Sequence, residues 1–130
     1  MFVDASALLA ILLREPDYPI YLEAIEKNPG AKVGAPTLAE AAIAFGRKVG
    51  FEHVHLVEDL VRFLGLEIVP FTESHFREAV RAYARYGKGR HPARLNLGDC
   101  LSYALARAEG EPLLYKGQDF DQTDLAWKPS

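Results

Sequence analysis

The sequence predicts an α/β protein in which helices cover both faces of a short, mostly parallel sheet, giving a three-layer α/β/α sandwich. Short apolar segments alternate along the chain with longer segments whose apolar residues recur at helical spacing. The short segments, such as 1–4 and 113–115, are apolar at nearly every position, as expected of parallel strands buried on both faces. Strands that are separated by helices are joined by crossovers, which also favours a parallel sheet.

Residues that break regular structure set the bounds of the elements in the first half of the chain. Pro16 ends the first helix, the Pro-Gly pair at 29–30 ends the second, and the Ala-rich third helix stops near Gly50. The predicted elements, in order, are a strand at 1–4, helices at 6–14 and 18–28, a strand at 32–35 and a helix at 37–49.

The second half of the chain follows the same pattern. Gly65 is the expected residue after a helix end, Thr72 is a plausible N-cap, and Gly110 ends the last helix. The predicted elements are a helix at 51–64, a strand at 66–69, a helix at 72–86, a basic loop at 87–94, a helix at 96–109, a strand at 113–115, a loop at 116–124 and an edge strand at 125–128.

Length and composition limit the possible classes of protein. The 130 residues fit one domain, spanning 1–130. A net charge of −3 excludes a protein that binds nucleic acid through a basic surface overall. No apolar run reaches the roughly 18 residues of a membrane span. The apolar N-terminus lacks a basic region and is interrupted by Asp4, and Cys100 is the single cysteine, so we expect a cytoplasmic protein without a signal peptide.

Four carboxylates are expected to meet at one edge of the predicted sheet. Asp4 closes the first strand, Glu40 lies in the first turn of the helix after the second strand, and Asp119 follows the fourth strand. Asp99 lies in the first turn of the helix at 96–109, which must run back along the sheet before the fourth strand. In parallel α/β sheets the carboxyl ends of the strands carry the site, so all four acids belong at that edge.

Carboxylates held a few ångströms apart repel each other, and a divalent cation relieves that repulsion. Mg²⁺ takes oxygen ligands, often one or two carboxylates together with waters and substrate phosphate. Such a metal lowers the pKa of an attacking water and stabilises charge on a phosphate. The four acids therefore predict a divalent-metal site that could act on a phosphate, with the number of metal ions left open.

Each acid also has a purely structural explanation. Thr37 with Glu40 and Asn96 with Asp99 have the spacing of a capping box, in which the acid reaches back to the start of its own helix. Asp4 could cap the helix that follows it, and the acid in the last loop could be a surface turn residue. These explanations do not account for all four acids falling at one edge.

Four segments, in order along the chain, resemble a VapC-type toxin of the PIN-domain family. They are MFVDASALLAIL, PTLAEA, YGKGRHPARLNLGDCLSYALA and LYKGQDFDQTD, starting at residues 1, 36, 86 and 114. The third segment is the most specific and the second is the weakest. Together they cover essentially the whole chain.

Carried over position by position, the metal-binding and catalytic acids of the family fall on Asp4, Glu40, Asp99 and Asp119. Ser6 falls on a hydroxyl that lines the site, and we expect Asn96 to line it too. Ala5 departs from the family, where many members carry Thr, but no carboxylate is lost. The resemblance implies RNA cleavage with Mg²⁺ or Mn²⁺, homodimerisation, and neutralisation by a small antitoxin of the VapB kind.

A basic loop precedes the helix that carries Asp99. Its Lys88, Arg90, His91 and Arg94 are candidates to bind RNA phosphates at the rim of the acidic site. A solvated loop or a contact within a dimer is the alternative.

Two other functions compete with the ribonuclease. The first is a PIN-like protein-binding module without catalysis, against which four intact acids argue. The second is another Mg²⁺-dependent phosphohydrolase or a phospho-acceptor receiver. A haloacid-dehalogenase-like phosphatase should show Asp-x-Asp after the first strand, where this chain has Asp4-Ala5-Ser6, and a receiver should show an Asp after the third strand, where it has Val69-Pro70-Phe71.

Overall fold

The computed structural model describes residues 1–127, which form one four-stranded sheet and six α-helices. The strands are β1 (Phe2–Val3), β2 (Lys32–Gly34), β3 (Glu67–Val69) and β4 (Leu113–Leu114). The helices are α1 (Ala5–Leu12), α2 (Tyr18–Glu26), α3 (Ala35–Val49), α4 (His55–Leu64), α5 (Glu73–Tyr86) and α6 (Leu97–Glu109). All strand pairs are parallel, in the order β3-β2-β1-β4. The predicted α/β class with a mostly parallel sheet is confirmed.

Alternation along the central strands divides the core between the two faces of the sheet. Phe2 and Leu113 belong to a cluster with residues of α5 and α6, whereas Val3 and Leu114 belong to a cluster with residues of α1, α2 and α4. Successive strand residues point to opposite faces, so each face needs its own layer of helices. Cys100 is buried in the cluster that includes α6.

Helix boundaries differ from the predicted ones where the first turn contains proline or follows glycine. α3 begins at Ala35, two residues before the predicted start, because Pro36 suits a first helical turn, where its missing N–H has no partner anyway. The predicted helix at 51–64 is divided into a 3₁₀ turn, Phe51–His53, and α4. Gly50, with φ of +110°, changes the chain direction before this turn. Among residues 1–127, no helix is both long enough and apolar enough to cross a membrane.

The predicted edge strand at 125–128 is wrong over the residues that the structure describes. Residues 125–127 form a turn and irregular chain, and Lys128 lies outside the described residues. The Trp127 amide donates to the hydroxyl of Tyr115 at 2.9 Å, and the Trp127 ring packs against Tyr21. A tertiary hydrogen bond therefore takes the place of strand pairing.

The parallel arrangement brings the ends of β1, β2 and β4 to one edge of the sheet. The Asp4 amide donates to the carbonyl of Leu114 at 2.8 Å, so the end of β1 is fixed against β4. α3 starts directly after β2 and approaches α6 closely, since a Cβ added to Gly34 would lie 2.1 Å from Leu105 Cδ1. These contacts hold together the ends of the strands and the helices from which the candidate site is built.

Candidate active site

Asp4 is buried, and both oxygens of its carboxylate accept hydrogen bonds. Its Oδ2 accepts from the Ser6 amide at 3.1 Å and from Ser6 Oγ at 2.6 Å, and its Oδ1 accepts from Ser102 Oγ. Asp4 thus caps α1, as the structural alternative expected, and it also sits at the carboxyl edge of the sheet. Ser6, predicted to line the site, contacts Asp4 directly.

Glu40 has no capping role. α3 is capped from Gly34, so Thr37 is already the third residue of the helix and Glu40 lies a turn further on. The predicted capping box of Thr37 with Glu40 is therefore wrong, because the helix starts too early for it. The Glu40 carboxylate instead lies against α6, where a Cβ added to Gly98 would come within 2.2 Å of Glu40 Oε2.

Asp99 does cap its own helix, with one of its two oxygens. The Asn96 amide donates to Asp99 Oδ2 at 3.0 Å, and the Asp99 amide donates to Asn96 Oδ1 at 2.9 Å. The capping box at the start of α6 is thus confirmed. It commits Oδ2 only and leaves Oδ1 of Asp99 available for a ligand.

The four acids act on one another electrostatically. Burial raises the pKa of Asp99 to about 7; the Asn96 N–H opposes the rise, and the negative charges of Asp119, Asp4 and Glu40 add to it. Burial and the charge of Asp4 also raise the pKa of Glu40, although Glu40 keeps one side open to solvent. Asp119 lies in the exposed loop after β4. The other three predicted acids are therefore close enough to Asp99 for their charges to act on it, whereas their role as a site stays a prediction.

The carboxylate oxygens of these four acids suit a hard divalent cation, although they do not form a complete coordination shell. Within residues 1–127, no three His, Cys, Asp or Glu side chains already stand in metal-binding geometry. Mg²⁺ keeps several waters and commonly uses one or two carboxylates, so a preformed cage is not required. The raised pKa of Asp99 shows that negative charge is unfavourable here, which is the condition that a bound cation would relieve.

The predicted basic loop is closed at its base and exposed at its tip. The Lys88 amide donates to the Leu95 carbonyl at 2.9 Å, and the Leu95 amide donates back to the Tyr86 carbonyl at 3.0 Å. Lys88, Arg90 and Arg94 are exposed, whereas the His91 ring packs edge-on against Tyr86. None of the four predicted cations forms an ion pair within the described chain. Contact of this loop with RNA stays a prediction.

The sequence did not reveal two further polar residues of the site, Thr37 and Ser102. Thr37 Oγ1 lies 3.1 Å from Ser102 Oγ, and Ser102 in turn donates to Asp4. Each is three residues from an acid on its own helix, which is the one signal the sequence offered. Asp121 and Asp124, by contrast, accept from the hydroxyls of Tyr115 and Tyr103 at 2.6 Å and order the last loop.

A parallel α/β sandwich whose carboxyl edge gathers four acids defines a class of small domains that includes the PIN domains. A family model described as the PIN domain matches residues 1–125. Ribonuclease VapC42 of Mycobacterium tuberculosis is 41% identical over 126 residues, which are 96% of this chain and 96% of that relative. The chain belongs to the PIN-domain family and, within it, to the VapC ribonucleases.

Solved structures agree on the fold. The crystal structure of Mycobacterium tuberculosis VapC20, described as a sarcin-ricin loop cleaving toxin, matches with a TM-score of 0.78 at 15% identity, covering 96% of this chain and 95% of that one. VapBC2 of Rickettsia felis, solved with a DNA fragment from its promoter, matches with a TM-score of 0.73 at 20% identity, covering 96% of this chain and 93% of that one.

Ribonucleases of this family generally depend on a divalent metal.

Proposed function

We propose that this chain, as a single nuclease domain, is an endoribonuclease that hydrolyses RNA phosphodiester bonds with Mg²⁺ or Mn²⁺. We further propose that it acts as the toxin of a VapBC-type toxin–antitoxin pair. The observation that carries the proposal is the perturbed carboxyl of Asp99. Burial raises its pKa to about 7, and the negative charges of acids from three other segments of the chain add to the rise, so the four acids lie near one another at the edge of the sheet.

The four acids have different roles in this proposal, and each role follows from the environment of the side chain. Asp4 and Asp99 would be the main metal ligands, because Asp4 is fixed by its hydrogen bonds but its Oδ1 accepts only one of them, and Asp99 keeps Oδ1 available. Glu40 and Asp119 complete the coordination shell or position the attacking water. A divalent cation in this site supplies a more acidic water and offsets negative charge on the scissile phosphate. Ser6 holds the Asp4 carboxylate, and Asn96 orients Asp99 through its N–H.

The basic loop supplies contacts to the RNA backbone in this proposal. Lys and Arg side chains that meet phosphates give affinity and register without reading the bases. Lys88, Arg90 and Arg94 are exposed and lie directly before α6, which carries Asp99. His91 contributes less, since its Nδ1 accepts from the Ala93 amide at 3.0 Å.

An RNA cleavage assay on the purified chain tests the proposal. We expect cleavage with Mg²⁺ or Mn²⁺ that stops on addition of EDTA and that Asp4→Asn or Asp99→Asn lowers at least about 100-fold. Asp59→Asn, which changes an exposed acid on α4, is the matched control and should cleave like the unchanged chain.

The same assay separates the ribonuclease from a non-catalytic binding module. A module that only binds proteins would show no metal-dependent cleavage in any variant. Cleavage that survives Asp99→Asn undiminished would also refute the proposed site, even though the family assignment would stand.

The antitoxin partner is supported by an apolar groove between α1, α2 and α4. The groove measures about 400 Å³ and includes Leu12, Tyr18, Leu22, Leu60 and Phe63. An amphipathic helix is the kind of segment that fits such a groove. Co-expression with the small protein encoded beside the toxin, followed by a cleavage assay of the complex, tests this part of the proposal.

The proposed homodimer is supported by a second apolar surface, between α5 and α6. Phe76, Val80 and Leu97 are more than half exposed there. Large exposed apolar patches mark interaction surfaces. Sedimentation of the purified chain, with Val80→Lys as the variant expected to shift it to monomers, checks the oligomeric state.

A further inference from the structure

Two buried hydroxyl groups connect Asp4 to the helices that carry the other acids. Ser102 Oγ donates to Asp4 Oδ1 and lies 3.1 Å from Thr37 Oγ1. The exposed fractions of Asp4, Ser102 and Thr37 are 5, 3 and 1%. Because Ser102 has one hydroxyl proton and gives it to Asp4, Thr37 must be the donor to Ser102. The three groups therefore form a hydrogen-bonded chain with one direction, which we call the hydroxyl relay.

The two hydroxyl residues of the relay lie on the same helices as two of the acids. Thr37 precedes Glu40 by three residues on α3, and Ser102 follows Asp99 by three residues on α6. Residues three apart lie on the same face of a helix, about one turn from each other. Each relay hydroxyl is thus one turn away from an acid, and each bond of the relay joins elements that carry different acids.

Packing around the relay leaves little freedom for the two helices to move apart. A Cβ added to Gly34, the cap of α3, would lie 2.1 Å from Leu105 Cδ1 on α6 and 3.6 Å from Thr37 Oγ1. Glycine at this position lets α6 approach β2 and α3 closely enough for the two hydroxyls to meet. No buried side-chain polar atom in the described part of the chain lacks a hydrogen-bond partner, so the relay is satisfied throughout.

We propose that Thr37 and Ser102 are positioning residues that fix the orientation of the Asp4 carboxylate and the spacing of Asp4, Glu40 and Asp99 for a divalent cation. This inference rests on the proposed metal-dependent function. With Ser102 in place, Asp4 Oδ1 is held from the side of α6, and Oδ2 is held by Ser6. Without the Ser102 hydroxyl, the carboxylate loses one of its two anchors and can rotate. Partners that orient metal ligands typically contribute about 10- to 100-fold to metal affinity.

Mn²⁺ titration of the metal-free full chain by calorimetry, without RNA, tests the relay. We expect Ser102→Ala to weaken Mn²⁺ binding about 10- to 100-fold. Thr37→Val, which keeps the shape but removes the hydroxyl, should weaken binding less, since Thr37 reaches Asp4 only through Ser102. Thr37→Ser keeps the hydroxyl and is the matched control, with affinity close to that of the unchanged chain.

The double variant Thr37→Val with Ser102→Ala distinguishes a relay from two independent packing effects. If Thr37 acts through Ser102, the double variant binds Mn²⁺ as Ser102→Ala does, and the two losses are not additive. RNA cleavage by Ser102→Ala should then recover at saturating Mn²⁺, because the defect lies in binding the cation. Additive losses, or cleavage that stays low at saturation, would overturn the relay.

The result for the unchanged chain separates this inference from the proposed function. If the unchanged chain binds Mn²⁺ and cleaves RNA while Ser102→Ala binds Mn²⁺ within twofold of it, only the relay is refuted. If the unchanged chain neither binds Mn²⁺ nor cleaves RNA, the proposed function fails and the relay fails with it. Should Ser102→Ala not fold, the comparison of Thr37→Val with Thr37→Ser decides, and equal Mn²⁺ affinities would refute the relay.

Discussion

At the scale of single residues, Asp99 combines a structural and a functional role in one carboxyl group. One oxygen caps α6, while burial and three neighbouring acids make its negative charge unfavourable. A carboxyl group that is held in place although its negative charge is unfavourable is typical of functional sites, where pKa values are shifted by burial and nearby charge. The capping role explains why the side chain is held in place even before a cation binds.

The raised pKa of Asp99 predicts how stability depends on pH. Unfolded Asp99 loses its proton near pH 4, whereas the folded carboxyl keeps it up to about pH 7. Between these values the folded state binds more protons, so the free energy of unfolding of the metal-free chain falls as pH rises. We expect a loss of about 2 kcal/mol, roughly half of what the full shift implies, because the carboxyl is partly hydrated.

Asp99→Asn should flatten this dependence, since the amide keeps an acceptor for the cap but cannot ionise. Urea unfolding in EDTA at a series of pH values measures the effect. Asp59→Asn should keep the slope of the unchanged chain. Parallel curves for the unchanged chain and Asp99→Asn would contradict the pKa shift.

Gly98 gives a second prediction at the residue scale. An added Cβ would lie 2.2 Å from Glu40 Oε2, so Gly98→Ala must displace the end of the Glu40 side chain. Helix propensity favours alanine by about 1 kcal/mol, so α6 should be no less stable. We expect a folded variant whose RNA cleavage falls to the level of Glu40→Gln. Gly46→Ala, which would displace the exposed Phe51 ring instead, should leave cleavage unchanged. Full cleavage by Gly98→Ala would show that the position of Glu40 is unimportant.

At the scale of elements, the start of α6 affects both the stability of the fold and the geometry of the site. Asn96→Ala removes the side-chain acceptor for the Asp99 amide and should lower the free energy of unfolding by about 1 kcal/mol. Asn96→Ser keeps a capping oxygen and is the control. Chemical denaturation measures both variants, and an unchanged midpoint for Asn96→Ala would mean that the cap contributes nothing.

The order of the elements was predictable from the sequence, whereas several boundaries were not. Apolar spacing and glycine or proline at the ends identify six helices and four strands correctly. The predicted start of α3 at residue 37 is two residues late, because Pro36 lies in the first turn of that helix. Residues 125–127 have the apolar pattern of a strand, but Trp127 instead donates to the hydroxyl of Tyr115, a contact that no local pattern contains.

At the scale of the whole molecule, the parallel sheet made the meeting of the four acids predictable, because all strands end at the same edge. The hydroxyl relay was not predictable in the same way. Thr37 and Ser102 are 65 residues apart, and their contact depends on how closely α3 and α6 approach. Sequence spacing places a side chain on a helix face, but the packing of two helices decides which faces meet.

Cation binding should stabilise the whole fold, since it relieves repulsion among groups from distant segments. At 100 times its dissociation constant, a ligand adds about 2.7 kcal/mol to the free energy of unfolding. We expect Mn²⁺ to raise the melting temperature more at pH 8 than at pH 6, because the proton on Asp99 competes with the metal. Differential scanning fluorimetry measures this, and Asp99→Asn should show a much smaller rise. An identical rise in both would place the cation elsewhere.

The position of β1 between β2 and β4 has a consequence for biosynthesis. The first strand emerges from the ribosome early, yet its Asp4 amide bonds to the carbonyl of Leu114, and Asp99 and Asp119 are translated far later. A nascent chain therefore cannot bring these acids together while most of the polypeptide is still being made. The ordering of the strands therefore delays assembly of the candidate site until synthesis is almost finished.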